Sequence, residues 1–245
     1  MRRGAGFALL FVVVFTLVLA VRLPLRWVLP LLPKTLHCLQ PEGTLWSGGC
    51  RGLVLLPTAL VFDEFDWAWR PARLLHGRLA FAVRVRRLDA SASGVLQWTP
   101  GRIEILDAAG VGTLQPGLPP PLAGWTGRVA VEGLRLRLLG GRLDALDGQL
   151  EAHGLRSPQG IDWGSYRVSL PRSSGGDIAP GEIASLDGPL LLKGSVAVKP
   201  AERSWQLDVR LAVQPGADPA LANALGALGA PDAEGLRPLS VAGTY

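Results

Sequence analysis

The feature that most constrains this chain is a two-residue period of apolar side chains that recurs through its later two thirds. In residues 204–213, Trp205, Leu207, Val209, Leu211 and Val213 alternate with Gln206, Asp208 and Arg210. Successive strand side chains point to opposite faces, so this pattern makes one dry and one wet face. Residues 77–88 repeat it, with Leu79, Phe81, Val83 and Val85 on one side and Ala80, Ala82, Arg84 and Arg86 on the other. So do Ile103 and Ile105 between Arg102 and Glu104, and Val196 with Val198. In 128–138 the apolar set is Val129 and Val131, then Leu134, Leu136 and Leu138. The parity flip at Glu132–Gly133 predicts a bulge or a turn. Such half-dry segments suit antiparallel strands with one face in water. Glycine and proline make up about a fifth of the chain, against average usages of about 7% and 5%, which disfavours long helices. Several segments open on Gly-Arg, at Gly77, Gly101, Gly127 and Gly141, but the unequal spacing excludes a strict solenoid. The pattern predicts a meander of hairpins in an extended, curved antiparallel sheet. The proline run at 116–121 divides it into two halves. One short C-terminal helix is expected over 218–228, with Asp218 as N-cap, Pro219 in the first position and Gly229 just past the end. An apolar run follows at 236–242.

The N-terminus has a different period. Residues 4–21 carry no charge over 18 positions, about 27 Å as a helix and close to the bilayer hydrocarbon thickness. Arg2 and Arg3 precede them, as for a cytoplasmic N-terminus, although Arg22 and Arg26 lie on the far side. A cleaved signal peptide has a shorter apolar region and an A-x-A-like site. Ala20 followed by Val21, Arg22 and Leu23 is a poor context for cleavage, which favours an uncleaved single-pass anchor. Trp27 sits where an interfacial indole is expected. The formal net charge of +5 belongs to this region: the first 37 residues hold five basic side chains and no acid, and the remainder is balanced. A global basic face for nucleic acid is therefore excluded. The expected order is a transmembrane anchor at 1–23, a stalk at 24–42 broken by Pro24, Pro30, Pro33 and Pro41, and an exported β domain at 43–245. The fold class is mainly β, with an N-terminal transmembrane helix.

Two cysteines, Cys38 and Cys50, follow the anchor. In an exported domain they read as one disulfide closing a short loop, or else as two free buried thiols. Zinc would need four ligands, and His37, His76 and His153 have no ligand-like spacing. No nucleophile elbow, metalloprotease helix or phosphate loop occurs. Gly110 and Gly112 read as turn glycines, Asp144 and Asp147 as solvated turn carboxylates, and His153 as a turn residue before Gly154. Asp63, Glu64 and Asp66 form the densest acid cluster, too few ligands for calcium and better suited to a solvated edge. No enzyme, metal or cofactor is expected. Seven tryptophans besides Trp27 (Trp46, Trp67, Trp69, Trp98, Trp125, Trp163 and Trp205) serve either as core or as an apolar surface for a partner segment or lipid.

Gly43-Thr44-Leu45-Trp46-Ser47-Gly48 is followed by Trp67-Ala-Trp69-Arg70-Pro71, Leu74 and Gly77-Arg78-Leu79. With Leu186-Asp187-Gly188-Pro189-Leu190, Leu192, Gly194 and the helix near 221–228, this order resembles the type II secretion system protein N family (general secretion pathway protein N) across nearly the whole chain. The resemblance implies an accessory, non-catalytic component of the inner-membrane platform of a Gram-negative type II secretion machine, which moves folded periplasmic proteins through an outer-membrane channel. It implies inner-membrane platform proteins as partners and a periplasmic β domain, and it carries no catalytic residues. The family motif at Gly43, Thr44, Leu45, Trp46 and Gly48 reads as a structural hairpin more than a binding site, with Trp46 packed into the first sheet layer. Strand edges suit β-augmentation. The rival reading is a lipid-handling protein, since grooved sheets of AsmA-like and lipopolysaccharide-transport families also present an apolar face. A face sealed by a helix counts against lipid; an open apolar groove counts for it. A pilin-like subunit is excluded because Pro24 stops the helix that a pilin would continue.

Overall fold

The computed structural model describes residues 11–12, 14–15, 18, 22–28, 35–56, 60–114, 123–172, 180–200, 202–226 and 229–244. Most of the expected anchor at 1–23 and the whole proline connector at 116–121 lie outside them. Among the described residues no helix is long and apolar enough to cross a membrane. The fold is mainly β, as the alternation predicts, and the chain divides into two compact units, residues 1–88 and 89–245.

Unit 1 contains α1 (Leu25–Val28), β1 (Leu36–Gly43), β2 (Ser47–Leu55), β3 (Leu60–Trp69), a 3-10 helix (Pro71–His76) and β4 (Leu79–Arg87). Its strands pair antiparallel in sequence order. Residues expected as a stalk, 24–42, hold α1 and most of β1. The reason is local. Leu36 and Cys38 share one face, with the exposed His37 and Leu39 on the other, and find Leu55 and Leu53 opposite them on β2, so this stretch has an apolar face to bury.

Unit 2 contains β5 (Ala90–Thr99), β6 (Arg102–Leu114), β7 (Thr126–Leu139), β8 (Arg142–Arg156), β9 (Asp162–Leu170), β10 (Gly181–Asp187), β11 (Leu190–Lys199), β12 (Ser204–Val213), α2 (Pro219–Gly226) and β13 (Arg237–Thr244). Each strand pairs antiparallel with its sequence neighbours within the unit. The register of β7 against β8 shifts between Glu132 and Arg135, at Gly133 with φ 58°, where the apolar parity flips. Three local expectations are corrected. Gly110 and Gly112 lie inside β6 rather than in a turn, and a Cβ on Gly110 would sit 2.7 Å from the Ser91 carbonyl oxygen, so close packing of β5 on β6 requires glycine there. Asp144 lies in β8 and ion-pairs with Arg137, and Asp147 faces Arg135 across the ladder, so neither is a turn residue. His153 is also in β8, opposite Arg128.

The densest core belongs to unit 2. Leu221 and Leu225 of α2, one helical turn apart, pack on Leu190, Val209, Leu211 and Tyr166. Asp218 caps the helix, its Oδ1 accepting from the Ala220 amide at 2.8 Å, with Pro219 in the first turn. At the other end the Arg237 guanidinium donates to the Leu225 carbonyl at 2.7 Å, satisfying one of the orphan acceptors of a helix terminus. The Tyr166 hydroxyl donates to the Trp163 carbonyl, and burial pushes its phenol up to about 12.

Two outcomes are expected. Leu221→Ala lowers the stability of unit 2 by about 2–5 kcal/mol in urea unfolding, whereas Asn223→Ala on the exposed side of α2 changes it by no more than about 0.5 kcal/mol. On alkaline titration the folded state keeps the Tyr166 proton after an unfolded tyrosine has lost its own near pH ~10. Unit 2 should therefore lose stability as pH rises from about 10 toward about 12, and Tyr166→Phe should flatten that decline. Phenolate absorbance in a Tyr245→Phe background reads it directly.

Candidate functional site

Unit 1 encloses an apolar hollow of about 460 Å³. Leu36 and Cys38 of β1, Cys50, Leu53 and Leu55 of β2, Phe62, Phe65 and Trp67 of β3, and Val85 of β4 line it, with Leu45 and Leu25 of α1. A strict two-residue period would not put Cys50 with Leu53, nor Phe62 with Phe65, on one face. Gly52, at φ +70° between the first two, rotates the strand so that residues three apart both reach the hollow. The ladder carries the same step into β3, since Leu53 lies opposite Phe62 and Cys50 opposite Phe65. Cys38 and Cys50 are joined by a disulfide with Cα atoms 5.8 Å apart, tying β1 to β2 within the lining itself. Phe65 and Trp67 rings lie 5.8 Å apart.

The Gly43–Gly48 segment is the β1–β2 hairpin turn, and each of its residues has a defined task. The Thr44 amide donates to the Ser47 carbonyl at 2.9 Å, and the Ser47 amide donates to Thr44 Oγ1 at 3.2 Å. Gly43 adopts φ +87°, and a Cβ there would sit 2.5 Å from the Ser47 carbonyl oxygen, so only glycine closes this turn. Gly48 pairs with both Gly43 and Trp67, and a Cβ on it would come within 2.9 Å of the Trp67 ring. Trp67 Nε1 donates to the Leu45 carbonyl at 3.0 Å. Trp46 packs on Trp69 with ring centroids 4.8 Å apart, and the Trp69 amide donates to the Trp46 carbonyl at 2.6 Å. The outer side of the turn holds the chain that follows the uncharged N-terminal stretch. Thr44 forms an antiparallel bridge with Pro24, and the Leu45 amide donates to the Leu23 carbonyl at 3.2 Å.

The structure thus brings Cys38, Cys50, Gly43, Thr44, Leu45, Trp46, Gly48, Trp67 and Trp69 into one neighbourhood. Sequence reasoning missed Leu25, Leu53, Phe62, Phe65 and Val85 as a common lining, because the only signal was a three-residue step that mimics no regular period. Other tryptophans are structural in unit 2: Trp125 meets Trp163 edge to face at 5.5 Å, and a Cβ on Gly243 would lie 2.8 Å from the Trp205 ring. Trp98 of β5 is half exposed.

The charge is outside the hollow. Glu64 of the acid cluster ion-pairs with Arg86 across β3 and β4. In unit 2, Arg167 and His153 hold the Glu151 carboxyl below its ordinary range, Arg167 having the larger effect. Among the described residues no group of three or more His, Cys, Asp or Glu side chains could hold a metal ion. A lining without polar side chains apart from Trp67 suits apolar groups and offers no general acid, base or nucleophile.

Fold and site together define an antiparallel β-meander protein with an apolar hollow beneath the hairpin that holds its N-terminal segment. The family model of type II secretion system (T2SS) protein N matches residues 35–240, from just before β1 into β13, and the chain belongs to that family. It is accordingly a component of a type II secretion system, a protein-transport machine of the cell envelope, in a family not known for enzymatic activity. No curated protein and no solved structure matches the chain.

The disulfide and the indole bond make separate contributions. Reduction, or Cys38→Ser with Cys50→Ser, should lower the stability of unit 1 by about 3 kcal/mol, the entropy of closing a loop of this length in the unfolded chain. Thiol labelling before reduction should leave both cysteines unmodified. Trp67→Phe keeps an aromatic ring but removes the bond to Leu45 and some ring volume, costing at least about 0.5–1.5 kcal/mol in the same unfolding assay.

Proposed function

We propose that this chain is an accessory, non-catalytic component of the secretion system's inner-membrane platform. Residues 1–23 anchor it in the inner membrane with a cytoplasmic N-terminus, and the β region from residue 43 on acts in the periplasm through protein–protein contacts. The observation that carries this reading is the clasp between Leu23–Pro24 and Thr44–Leu45. It ties the family motif to the residues at which the uncharged stretch ends, so the motif sets the first sheet against its tether. The uncharged stretch behind Arg2 and Arg3 supports the anchor, and a disulfide suits an oxidising compartment. Among the described residues β13 pairs only with β12, so its outer edge suits addition of a partner strand.

A lipid-handling role is favoured by one observation, the hollow of unit 1, and opposed by another. In unit 2, α2 covers the apolar face at Leu190, Val209 and Leu211, which argues against a continuous acyl groove along β11 and β12.

Deletion of the gene should lower extracellular exoenzyme activity and raise its periplasmic fraction, with recovery by the full chain. Trp46→Ala with Trp67→Ala should fail to restore export fully while the protein remains membrane-bound on carbonate extraction. Crosslinking in solubilised membranes should recover platform proteins. Unimpaired export on deletion would overturn the secretion role.

A further inference from the structure

We propose that the hollow of unit 1 is a binding site for one acyl chain of an anionic membrane phospholipid, with the phosphate drawn to Arg22 and Arg26. The inference rests on the membrane-anchored reading and assigns a ligand that the secretion role does not require. Three observations carry it. The first is chemistry. Among the described lining residues the only hydrogen-bonding side chain is Trp67, and its Nε1 is already engaged by the Leu45 carbonyl. A peptide segment entering the hollow would bring amides with no partner, at a cost of about 1–3 kcal/mol each, whereas a hydrocarbon tail brings none. The volume, about 460 Å³, falls inside the range of about 300–1,000 Å³ typical of small-molecule sites.

The second is placement. Leu25 is a wall of the hollow and is itself buried, and the residues before it, Leu23 and Pro24, are fixed to the hairpin by backbone bonds. The hollow is therefore built on the residues that immediately follow the uncharged stretch, at the level where lipid tails meet their headgroups. The third is charge complementarity. Arg22 and Arg26 are exposed and flank Leu25, and no carboxylate precedes Glu42. An anionic headgroup over an apolar hollow matches basic side chains beside an apolar wall.

The test uses the full chain reconstituted in vesicles of phosphatidylethanolamine with phosphatidylglycerol whose acyl tail carries a mid-chain photoactivatable diazirine. Crosslinks are expected on peptides of β2 and β3, at Leu53, Phe62 or Phe65, in addition to the uncharged stretch. Leu53→Trp, which projects a bulkier ring into the hollow, should weaken the β2 and β3 crosslinks and leave those at residues 4–21 unchanged. Excess unlabelled phosphatidylglycerol should compete for the β-strand crosslinks in the unaltered protein, a readout independent of whether the variant folds. Labelled phosphatidylcholine should crosslink less, and Arg22→Glu with Arg26→Glu should abolish that preference, worth about fivefold per arginine. Labelling confined to 4–21, or equal labelling by both lipids, would overturn the proposal. So would capture of a polypeptide by p-benzoylphenylalanine placed at Phe62 with no lipid crosslink there. Carbonate extraction separates the two failures: a chain that resists extraction yet shows no β-strand crosslinks loses the acyl site and keeps the anchor, whereas an extracted chain loses the anchor itself.

Discussion

A single sheet can satisfy nearly all its backbone polar groups by pairing neighbouring strands, but it cannot bury its own apolar face. In each unit of this chain the ladder runs in sequence order, with bulges in unit 2, so most of the hydrogen-bonding requirement is met between neighbours. What remains is cover for the dry face, and the two units meet that need differently. Unit 2 lays α2 across β11 and β12, where Leu190 is wholly buried. Unit 1 has a four-residue helix, a disulfide and a row of aromatic rings, which enclose space without filling it. Each fully buried Leu or Phe contributes roughly 1.5–3 kcal/mol, so the unfilled hollow leaves burial unused in unit 1.

The disulfide has its place in that difference. A small four-stranded unit with an incomplete core gains most from a covalent tie, because its apolar burial is the weaker source of stability. Cys38 and Cys50 join β1 to β2 behind the same hairpin that clasps Leu23 and Pro24. A pull on the N-terminal segment would pass through backbone bonds into Thr44 and Leu45, and through the disulfide into the ladder. Gly43, Gly48 and the Trp46–Trp69 contact restrict that turn to one close-packed geometry.

The parts of this structure that were legible in the sequence are those where one local rule operates. The alternation in 204–213 became β12, the parity flip at Gly133 became a bulge, and Asp218-Pro219 became the start of α2. The Gly43–Gly48 hairpin was legible because its glycines are turn residues in an otherwise apolar stretch. What escaped is what depends on two strands at once. Gly110 and Gly112 look like turn residues until Ser91 and Ala92 are seen against them. Asp144 and His153 look like loop polars until Arg137 and Glu151 are seen beside them. The hollow escaped most fully, because Gly52 replaces the two-residue period with a three-residue step, and no periodicity connects Leu53 to Phe62 before the register is known.

The distribution of charge follows from the same economy of faces. From residue 38 onward the acids and bases balance, and the structure places many of them as neighbours: Glu64 with Arg86, Asp144 with Arg137 and Glu151 with Arg167 across strands, and the buried Glu104 with Arg102. Such pairs contribute little individually where water screens them, but they leave no large field of one sign on the described β region. The uncompensated bases before Glu42 are a separate population. Two of them, Arg22 and Arg26, flank Leu25, which belongs both to the N-terminal segment and to the lining of the hollow. A sheet that needed only to pack would have closed that space with a larger side chain, since overfilling and underfilling are both costly and cores tolerate volume-conserving exchange. The aromatic-lined hollow of unit 1 departs from that rule, and Leu25 joins it to the segment that carries Arg22 and Arg26.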